Sequence, residues 1–306
     1  MAEITASLVK ELREKTGAGM MECKKALAAV EGDLEAAIDF LRKKGMSVAE
    51  KKAGRVASQG LVSVIVDGTQ GAVVELNSET DFVAKNADFQ ALLADITKIA
   101  LEKKGDLEAV KTADLNGKSV AETLTALIAK IGENMNLRRI GYVAVDQGVV
   151  VPYVHTAAAA GMGKIGVLVG LESAGDKAAL TEVGKKIAMH IAAASPRFLD
   201  IADVDAATID HEKGIYAEQA KASGKPAAII EKMVEGRLRK FYEEVVVMEQ
   251  AFIMDPDKKI KDVLAAAAKD IGADVKLVSF VRFGLGEGIE KKEEDFAAEV
   301  AKQMNG

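Results

Sequence analysis

The 306-residue sequence has one cysteine, no tryptophan and few aromatic residues, with 9 Phe and 4 Tyr. The lone Cys23 excludes an intramolecular disulfide and any metal or iron–sulfur site that needs several cysteines. A single thiol fits a protein of the reducing cytoplasm. With 49% apolar residues but so few rings, the core has to be built from Ala, Val, Ile, Leu and Met, which suits closely packed helices.

The sequence also lacks an excess of positive charge and a long apolar run. Lys and Arg number 41 against 47 Asp and Glu, a net charge of −6, which argues against a nucleic acid partner. The longest apolar stretches, such as IAMHIAAA, fall far short of the ~18 residues that a membrane span needs. The first residues, MAEITASLVKEL, predict an amphipathic helix rather than a signal peptide. We therefore expect neither a nucleic acid nor a membrane partner.

Chemical motifs are missing as well. His155, His190 and His211 are scattered, without the HxxxH spacing of a metal site. The GLGEG stretch at 284–288 is GxGxG rather than GxGxxG, so we interpret it as a tight turn and not as a nucleotide loop. NGKS at 116–119 lacks the upstream glycine of a phosphate-binding loop, and no serine lies in GxSxG. The sequence therefore predicts no metal, no cofactor and no catalytic group, and favours a binding protein over an enzyme.

Residues 1–55 predict three short helices followed by a basic linker. Apolar residues recur at helical spacing in each helix, and TGAG at 16–19 and the Gly32–Asp33 pair separate them. The third helix is expected to end at Gly45. The stretch RKKGMSVAEKKAGR at 42–55 is basic and poor in large apolar residues, so we interpret it as a solvated hinge.

Residues 56–195 alternate strands with helices. The pattern predicts a hairpin of strands at 61–66 and 72–76, a helix at 88–99, a polar connection at 104–118, and a helix that a Ser119–Glu122 capping box opens and that ends near Gly132. Strands at 138–145, 149–155 and 164–171 and a helix ending before Pro196 follow. We expect two lobes of one α+β core.

A helical hairpin follows the core. Segments 204–222 and 226–247 are charged and helical, and a polar SGKP turn joins them. The second arm carries a coiled-coil-like seam of Ile230, Val234, Leu238, Phe241 and Val245. This seam either closes within the chain or allows self-association with a second chain. A helix near 258–270, a strand at 275–283 and a last helix at about 289–303 complete the prediction.

The segment NSETDFVAKN at 77–86 offers two interpretations. Thr80 or Asp81 is expected to cap the next helix, which puts Phe82 and Val83 in its first turn beyond the edge of the hairpin. There the ring of Phe82 is either exposed, as a contact for another molecule, or folded back as a staple on its own helix. Helix-capping physics alone favours the staple.

Two stretches together, LREKTGAGMMECKKAL at 12–27 and NSETDFVAKN at 77–86, resemble the signature regions of the bacterial elongation factor Ts family. The likeness continues through KIGENMNLRR, IGVLV, SGKP, EKMVEGRL and VRFGLGEGIEK and covers nearly the whole chain. It implies an α+β fold with five parts. These are a ubiquitin-associated-like three-helix domain with a basic linker (1–55), two core subdomains with antiparallel sheets (56–146, and 147–195 with 248–288), an inserted coiled-coil hairpin (196–247) and a C-terminal helical module (289–306).

The resemblance further implies a guanine nucleotide exchange factor in protein biosynthesis, which makes and breaks no bond. Its partner would be elongation factor Tu, bound to GDP and then free of nucleotide. The family's TDFV segment disturbs Mg²⁺ beside the nucleotide of this GTPase; here it is Thr80, Asp81, Phe82 and Val83. Further positions that match the family's partner contacts are Leu12, Met20, Met21, Lys24, Ile131, Gly132 and His155.

Two segments depart from the family pattern, and two other functions compete with exchange. TAAAAGMGK after His155 suggests an unusually long loop at 157–163, and 104–118 suggests an insertion. A scaffold protein could use the same bundle and hairpin without affecting any nucleotide, and an enzyme could bind a nucleotide at GLGEG. Release of GDP from the GTPase separates exchange from scaffolding, and direct nucleotide titration tests the enzyme.

Overall fold

The computed structural model describes residues 4–221, 224 and 226–290, and the fold is mixed α+β. The helices are α1 Ala6–Thr16, α2 Met20–Ala29, α3 Leu34–Lys52, α4 Asp81–Ala84, α5 Ala87–Glu102, α6 Leu107–Thr112, α7 Val120–Ile131, α8 Lys177–Ala194, α9 Ala206–Lys221, α10 Ala227–Val245 and α11 Ile260–Ile271. The strands are β1 Gln59–Asp67, β2 Gln70–Ser78, β3 Asp114–Leu115, β4 Lys118–Ser119, β5 Met135–Ala144, β6 Gly148–Ala159, β7 Met162–Glu172, β8 Ala251–Phe252, β9 Asp255–Lys259 and β10 Lys276–Gly284.

The chain divides into two compact units. The first comprises Met1–Val62, Val74–Ile140 and Gly284–Gly306, and the second comprises Ser63–Val73 and Gly141–Phe283. The α+β fold class predicted from the sequence is confirmed, whereas the five-part division remains a prediction. Within the described residues, no helix combines the length and apolarity needed to cross a membrane.

The first unit begins with the predicted bundle of three helices. Thr5 caps α1 by accepting the Leu8 N–H, and Gly17 ends it in the left-handed conformation with φ 68°. The buried residues of the bundle are Val9, Leu12, Cys23, Ala26, Leu27 and Ala37. The bundle is confirmed, and its likeness to a ubiquitin-associated domain remains a prediction.

The predicted end of the third helix is wrong, and so is most of the predicted linker. α3 continues through Gly45 to Lys52. Gly45 is buried where α3 packs on α7, and this packing stabilises the helix beyond the glycine. A Cβ at Gly45 would lie 3.4 Å from the Cβ of Ala129. Arg42 of α3 also pairs with Glu122 of α7. The basic residues lie on the exposed side of a helix that is anchored on its other side.

The first unit also contains α5, α6 and α7, which pack on one another. The Ser119–Glu122 capping box at the start of α7 is confirmed. The 104–118 connection contains the short helix α6 and the small ladder of β3 and β4. Phe89, Leu93 and Ile96 of α5 are fully buried.

The main sheet has six strands in the order β10-β7-β1-β2-β5, with β6 paired to β7. β6 and β7 are antiparallel, and their ladder extends from Gly148 opposite Glu172 to Ala159 opposite Met162. The predicted long loop at 157–163 is therefore wrong, because TAAAAGMGK prolongs both strands of this hairpin up to a two-residue turn. The regular alternation that marks a strand is absent from a run of alanines, which is why the pattern suggested a loop.

In the second unit, α8 packs its buried residues on the sheet, and the helical hairpin of α9 and α10 is confirmed. The hairpin has a small core of its own. It consists of Phe241 of α10, Val204 before α9 and Val246 after α10. Leu238 and Val245 of the seam pack against that core from inside the same chain. The SGKP turn lies partly outside the described residues. The predicted C-terminal module at 289–306 lies outside them apart from its first two residues.

Candidate functional site

The segment that follows β2 presents one aromatic ring to solvent. Phe82 is 76% exposed, a larger fraction than for any other large hydrophobic side chain in the described part of the chain. Val83 is 4% and Ala84 7% exposed. Successive residues of α4 point about 100° apart, so burial of Val83 and Ala84 turns Phe82 outward. The staple favoured by capping physics is wrong because the ring is exposed, and its contact with another molecule stays a prediction.

Two charged side chains flank the ring of Phe82. Lys85 Nζ lies 3.6 Å from Asp81 Oδ2 and 5.7 Å from the centroid of the Phe82 ring. All three side chains are exposed, so this exposed ion pair stabilises the free protein little. The arrangement instead presents an apolar ring beside a pair of opposite charges, a surface suited to a protein with apolar and charged groups of its own.

Thr80 anchors the start of this segment, though not as a side-chain cap. It occupies the N-cap position of α4 without a side-chain capping bond. Its backbone N–H donates to Glu133 Oε2 at 3.0 Å and its hydroxyl donates to Glu133 Oε1 at 2.8 Å. One carboxylate therefore binds both donors of Thr80.

A second glutamate makes the opposite connection. Glu79 Oε1 accepts the backbone N–H of Asn134 at 2.5 Å, and Glu79 Oε2 lies 3.4 Å from Arg55 Nη1. The Asn134 side chain donates to the carbonyl of Arg55 at 2.7 Å. The segments 79–80 and 133–134 are thus tied in both directions.

Sequence reasoning missed Glu133 and Asn134. The available signal is their place in KIGEN, as the first polar residues after the glycine that ends a capped helix. Such residues are usually solvated, and only the fold shows that this pair faces the end of β2.

The predicted contacts in the N-terminal bundle fall into two groups. Met20 and Met21 are 60% and 63% exposed at the start of α2, and Lys24 one turn later is exposed too. Leu12 is fully buried in the bundle core. The apolar stripe that carries Leu12 faces α2 and α3, and a direct contact at Leu12 stays a prediction.

The remaining predicted residues lie at two further places. Ile131 is the last residue of α7, and Gly132 ends that helix with φ 84°; both are half-buried. His155 lies exposed on β6, and its Nδ1 is 3.1 Å from the Tyr153 hydroxyl. The structure brings Thr80 and the residues after Gly132 into contact. Met20, Met21 and Lys24 lie on another helix of the same unit, and His155 lies in the second unit.

The GLGEG stretch donates a backbone N–H to a carboxylate of the protein itself. The Gly286 N–H donates to Glu75 Oε1 at 2.8 Å, and the Arg138 and Arg139 side chains bind the same carboxylate at 3.0 and 2.5 Å. Burial alone would raise the pKa of Glu75, but the Gly286 N–H, Asn77 and Arg139 outweigh it and hold the pKa below its usual range. The interpretation as a tight turn is confirmed, and the Gly286 N–H that could bind a phosphate is already engaged.

The other potentially reactive groups serve packing. His190 is fully buried, and its Nε2 lies 2.9 Å from Gln250 Oε1 while Nδ1 accepts the Ile253 N–H at 3.3 Å. Burial lowers the pKa of His190 more than the Gln250 bond raises it, so the ring is neutral at pH 7. Cys23 is a buried free thiol. Among the described residues, no three His, Cys, Asp or Glu side chains are grouped so as to hold a metal ion.

Comparison with known proteins gives full-length matches. The model of a family described as Elongation factor TS matches residues 79–287. Elongation factor Ts of Rhodospirillum rubrum is 61% identical over 307 residues, which cover 99% of this chain and 99% of that protein. Elongation factor Ts of Paramagnetospirillum magneticum is 62% identical over 305 residues, 99% and 98% of the two chains. Elongation factor Ts of Rhizobium etli (strain CIAT 652) is 54% identical over 308 residues, with full coverage of both.

Proposed function

This chain belongs to the elongation factor Ts family, and on that premise we propose that it is a guanine nucleotide exchange factor for elongation factor Tu. It acts in the cytoplasm during translation elongation. It binds the GDP-bound GTPase, promotes GDP release and holds the nucleotide-free form until GTP binds. The observation that carries the proposal is Phe82, an aromatic side chain held 76% exposed on an anchored segment of the family's matched region.

The mechanism is thermodynamic linkage. A protein that binds the nucleotide-free GTPase more tightly than the GDP-bound form weakens GDP binding by the same factor. No covalent bond changes, so the chain needs neither a nucleophile nor a general base. The exposed apolar ring and its flanking charges are sufficient chemistry for this function, because only differential binding is required.

Phe82 is the proposed wedge. An apolar ring inserted between elements of the GTPase beside its nucleotide would displace groups that hold Mg²⁺. Mg²⁺ demands near-ideal octahedral geometry at about 2.0–2.1 Å, so a small displacement of its ligands lowers nucleotide affinity strongly. Asp81 adds a negative charge next to the ring, where it would repel acidic ligands of the ion or phosphate oxygens.

Other surfaces supply the affinity that positions the wedge. Met20 and Met21 form an exposed, adaptable apolar patch at the start of α2, and Lys24 adds a charge on the same helix. We propose that this patch docks on the GTPase domain. Ile131, Gly132 and His155 remain proposed contacts, and so does Leu12, which also packs in the bundle core.

The test is the rate at which purified elongation factor Tu releases a fluorescent GDP, with and without this chain. We expect strong acceleration that saturates as the chain is added. Binding to the GTPase without acceleration would instead support a scaffold. Titration of the chain alone with fluorescent GDP tests whether the chain is instead an enzyme that binds a nucleotide at GLGEG. The proposal requires that the chain alone binds no nucleotide.

A further inference from the structure

The two segments at the base of α4 exchange hydrogen bonds in both directions, and we call this pair of connections the glutamate clasp. Glu133 accepts the backbone N–H and the hydroxyl of Thr80, and Glu79 accepts the backbone N–H of Asn134. All four residues belong to the first unit. Each glutamate therefore fixes the backbone of the opposite segment with a charge-assisted bond, which is about twice as strong as a neutral one.

We propose that Glu133 is a positioning residue for nucleotide exchange, which sets the direction of Phe82 by holding Thr80. The inference rests on the proposed function, because it assigns Glu133 a part in presenting the wedge. Glu133 does not have to touch the GTPase. It acts through the residue two positions before the ring.

The geometry of α4 explains why such a group is needed. α4 has four residues, and an isolated helix of one turn is unstable in water. The burial of Val83 and Ala84 fixes one side of α4. The hydrogen bonds from Thr80 to Glu133 fix the position just before its first residue. With Glu133 bound to both donors of Thr80, the ring is presented in one direction before the partner arrives. Such preorganisation reduces the entropy lost on binding.

Gly132 directs Glu133 into the glutamate clasp. It ends α7 with φ 84°, and no atom lies within 4 Å of the place where a Cβ would be. Glycine is required there by backbone conformation rather than by space. The left-handed residue turns the chain so that the next side chain, Glu133, faces Thr80. A change at Gly132 would impair exchange through the clasp even if Gly132 makes no contact with the partner.

The direct test combines Glu133→Gln, Thr80→Val and the double variant. Glutamine is the same size but places NH₂ donors where Thr80 also donates. We expect the maximal rate of GDP release from elongation factor Tu, at saturating variant, to fall about tenfold, the effect of one charge-assisted bond. The concentration for half-maximal rate should change less than about threefold, because the other contacts are intact. The double variant should be no slower than the slower single variant, since both changes break one connection.

A second measurement reports how firmly the segment that carries Phe82 is held in the absence of the GTPase. Amide hydrogen exchange in the full-length chain should become at least about tenfold faster in Glu133→Gln at residues 80–86, which include the Thr80 N–H that Glu133 binds and the Lys85 and Asn86 N–H groups that donate to the carbonyls of Phe82 and Val83. Asp88→Asn is the matched control, because it breaks the nearby pair of Asp88 with Lys130 of α7, whose Nζ and Oδ2 are 2.7 Å apart, and leaves the clasp intact. We expect the control to have the release rate and amide exchange of the unmodified chain.

Two results would overturn the inference. One is an unchanged maximal release rate in Glu133→Gln. The other is an equal loss of rate in Asp88→Asn, because general loosening of the α5–α7 region would then explain both variants. If the unmodified chain itself does not accelerate GDP release, the proposed function fails. Amide exchange at residues 80–86 then still decides whether Glu133 holds the segment.

Discussion

Two adjacent residues of the candidate site, Phe82 and Val83, have opposite environments. The ring of Phe82 lies in solvent, and Val83 lies in the core of the first unit. Sequence pattern alone could not assign these roles, because both are apolar and both follow a potential cap. The start of α4 is held by Glu133, 53 residues after Thr80, which accepts both hydrogen-bond donors of Thr80.

This division predicts opposite effects on stability. Phe82→Ala should leave the free energy of unfolding unchanged within about 0.5 kcal/mol, because an exposed side chain loses few contacts. Val83→Ala should lower it by about 1–3 kcal/mol, because it leaves a cavity in a packed region. Urea denaturation of both variants measures the difference. A large loss of stability in Phe82→Ala would show that the ring is packed in the free protein.

Glu75 predicts a pH-dependent contribution to stability. The pKa of its carboxyl is lower in the folded chain than in the unfolded chain, since Gly286, Asn77 and Arg139 bind the ionised form. Its stabilisation is therefore fully present above the unfolded pKa of about 4.3 and is lost as pH falls through the lower, folded pKa.

Glu75→Gln should consequently lower the free energy of unfolding by about 2 kcal/mol at pH 7, less than for a fully buried pair because both arginines keep some exposure. The difference from the unmodified chain should shrink below about pH 4. Urea denaturation at pH 7 and at pH 3.5 measures it, with Glu235→Gln on the exposed side of α10 as the control. A difference that stays constant down to pH 3.5 would contradict the assigned charge state.

At the scale of elements, the sequence predicts which helices and strands exist, and in what order, better than the residues at which they end. The capping box at Ser119, the hairpin of α9 and α10 and the hairpin of β1 and β2 all carry local signals and were predicted correctly. The sequence predicts an end of α3 at Gly45, because a glycine within a basic stretch usually marks a helix end. Gly45 instead faces Ala129 of α7, a contact that no local pattern encodes.

Gly45 provides a test of that contact. Gly45→Leu should lower the free energy of unfolding by about 1–3 kcal/mol, because the larger side chain would separate α3 from α7. Gly214→Ala in α9 is the matched control, since nothing lies within 4 Å of its Cβ position. There a helical alanine should raise stability by about 0.5–1 kcal/mol. Thermal unfolding of both variants measures the effects, and a stable Gly45→Leu would contradict the packing of α3 on α7.

α2 predicts a different kinetic effect from α4. The double change Met20→Ala and Met21→Ala removes an exposed apolar patch that we assign to docking, and it leaves Phe82 in place. The concentration for half-maximal GDP release should rise about tenfold or more, with the maximal rate nearly unchanged. Titration of the release rate with the variant measures both quantities. A fall in maximal rate at unchanged half-saturation would assign these residues to the exchange step instead.

For the whole molecule, the resemblance carried more information than the physics of single segments. The composition and the absence of catalytic motifs predict only a binding protein. The TGAGMM and TDFV stretches, in this order along the chain, indicate the family. Buried and exposed members of the same motifs could not be separated without the fold, as Leu12 and Val83 show. The clasp could not be predicted either, since it joins polar residues that are distant in sequence and has no periodic pattern.

The central claim is that an exposed ring on an anchored segment drives nucleotide release. The measurement that tests it most directly is the rate of fluorescent GDP release from elongation factor Tu at saturating concentrations of the unmodified chain and of Phe82→Ala. We predict that the unmodified chain accelerates release strongly and that Phe82→Ala loses roughly 30-fold or more of that acceleration, as expected for an aromatic anchor worth about 2 kcal/mol. Equal rates for the two proteins, with Phe82→Ala folded, would contradict the account.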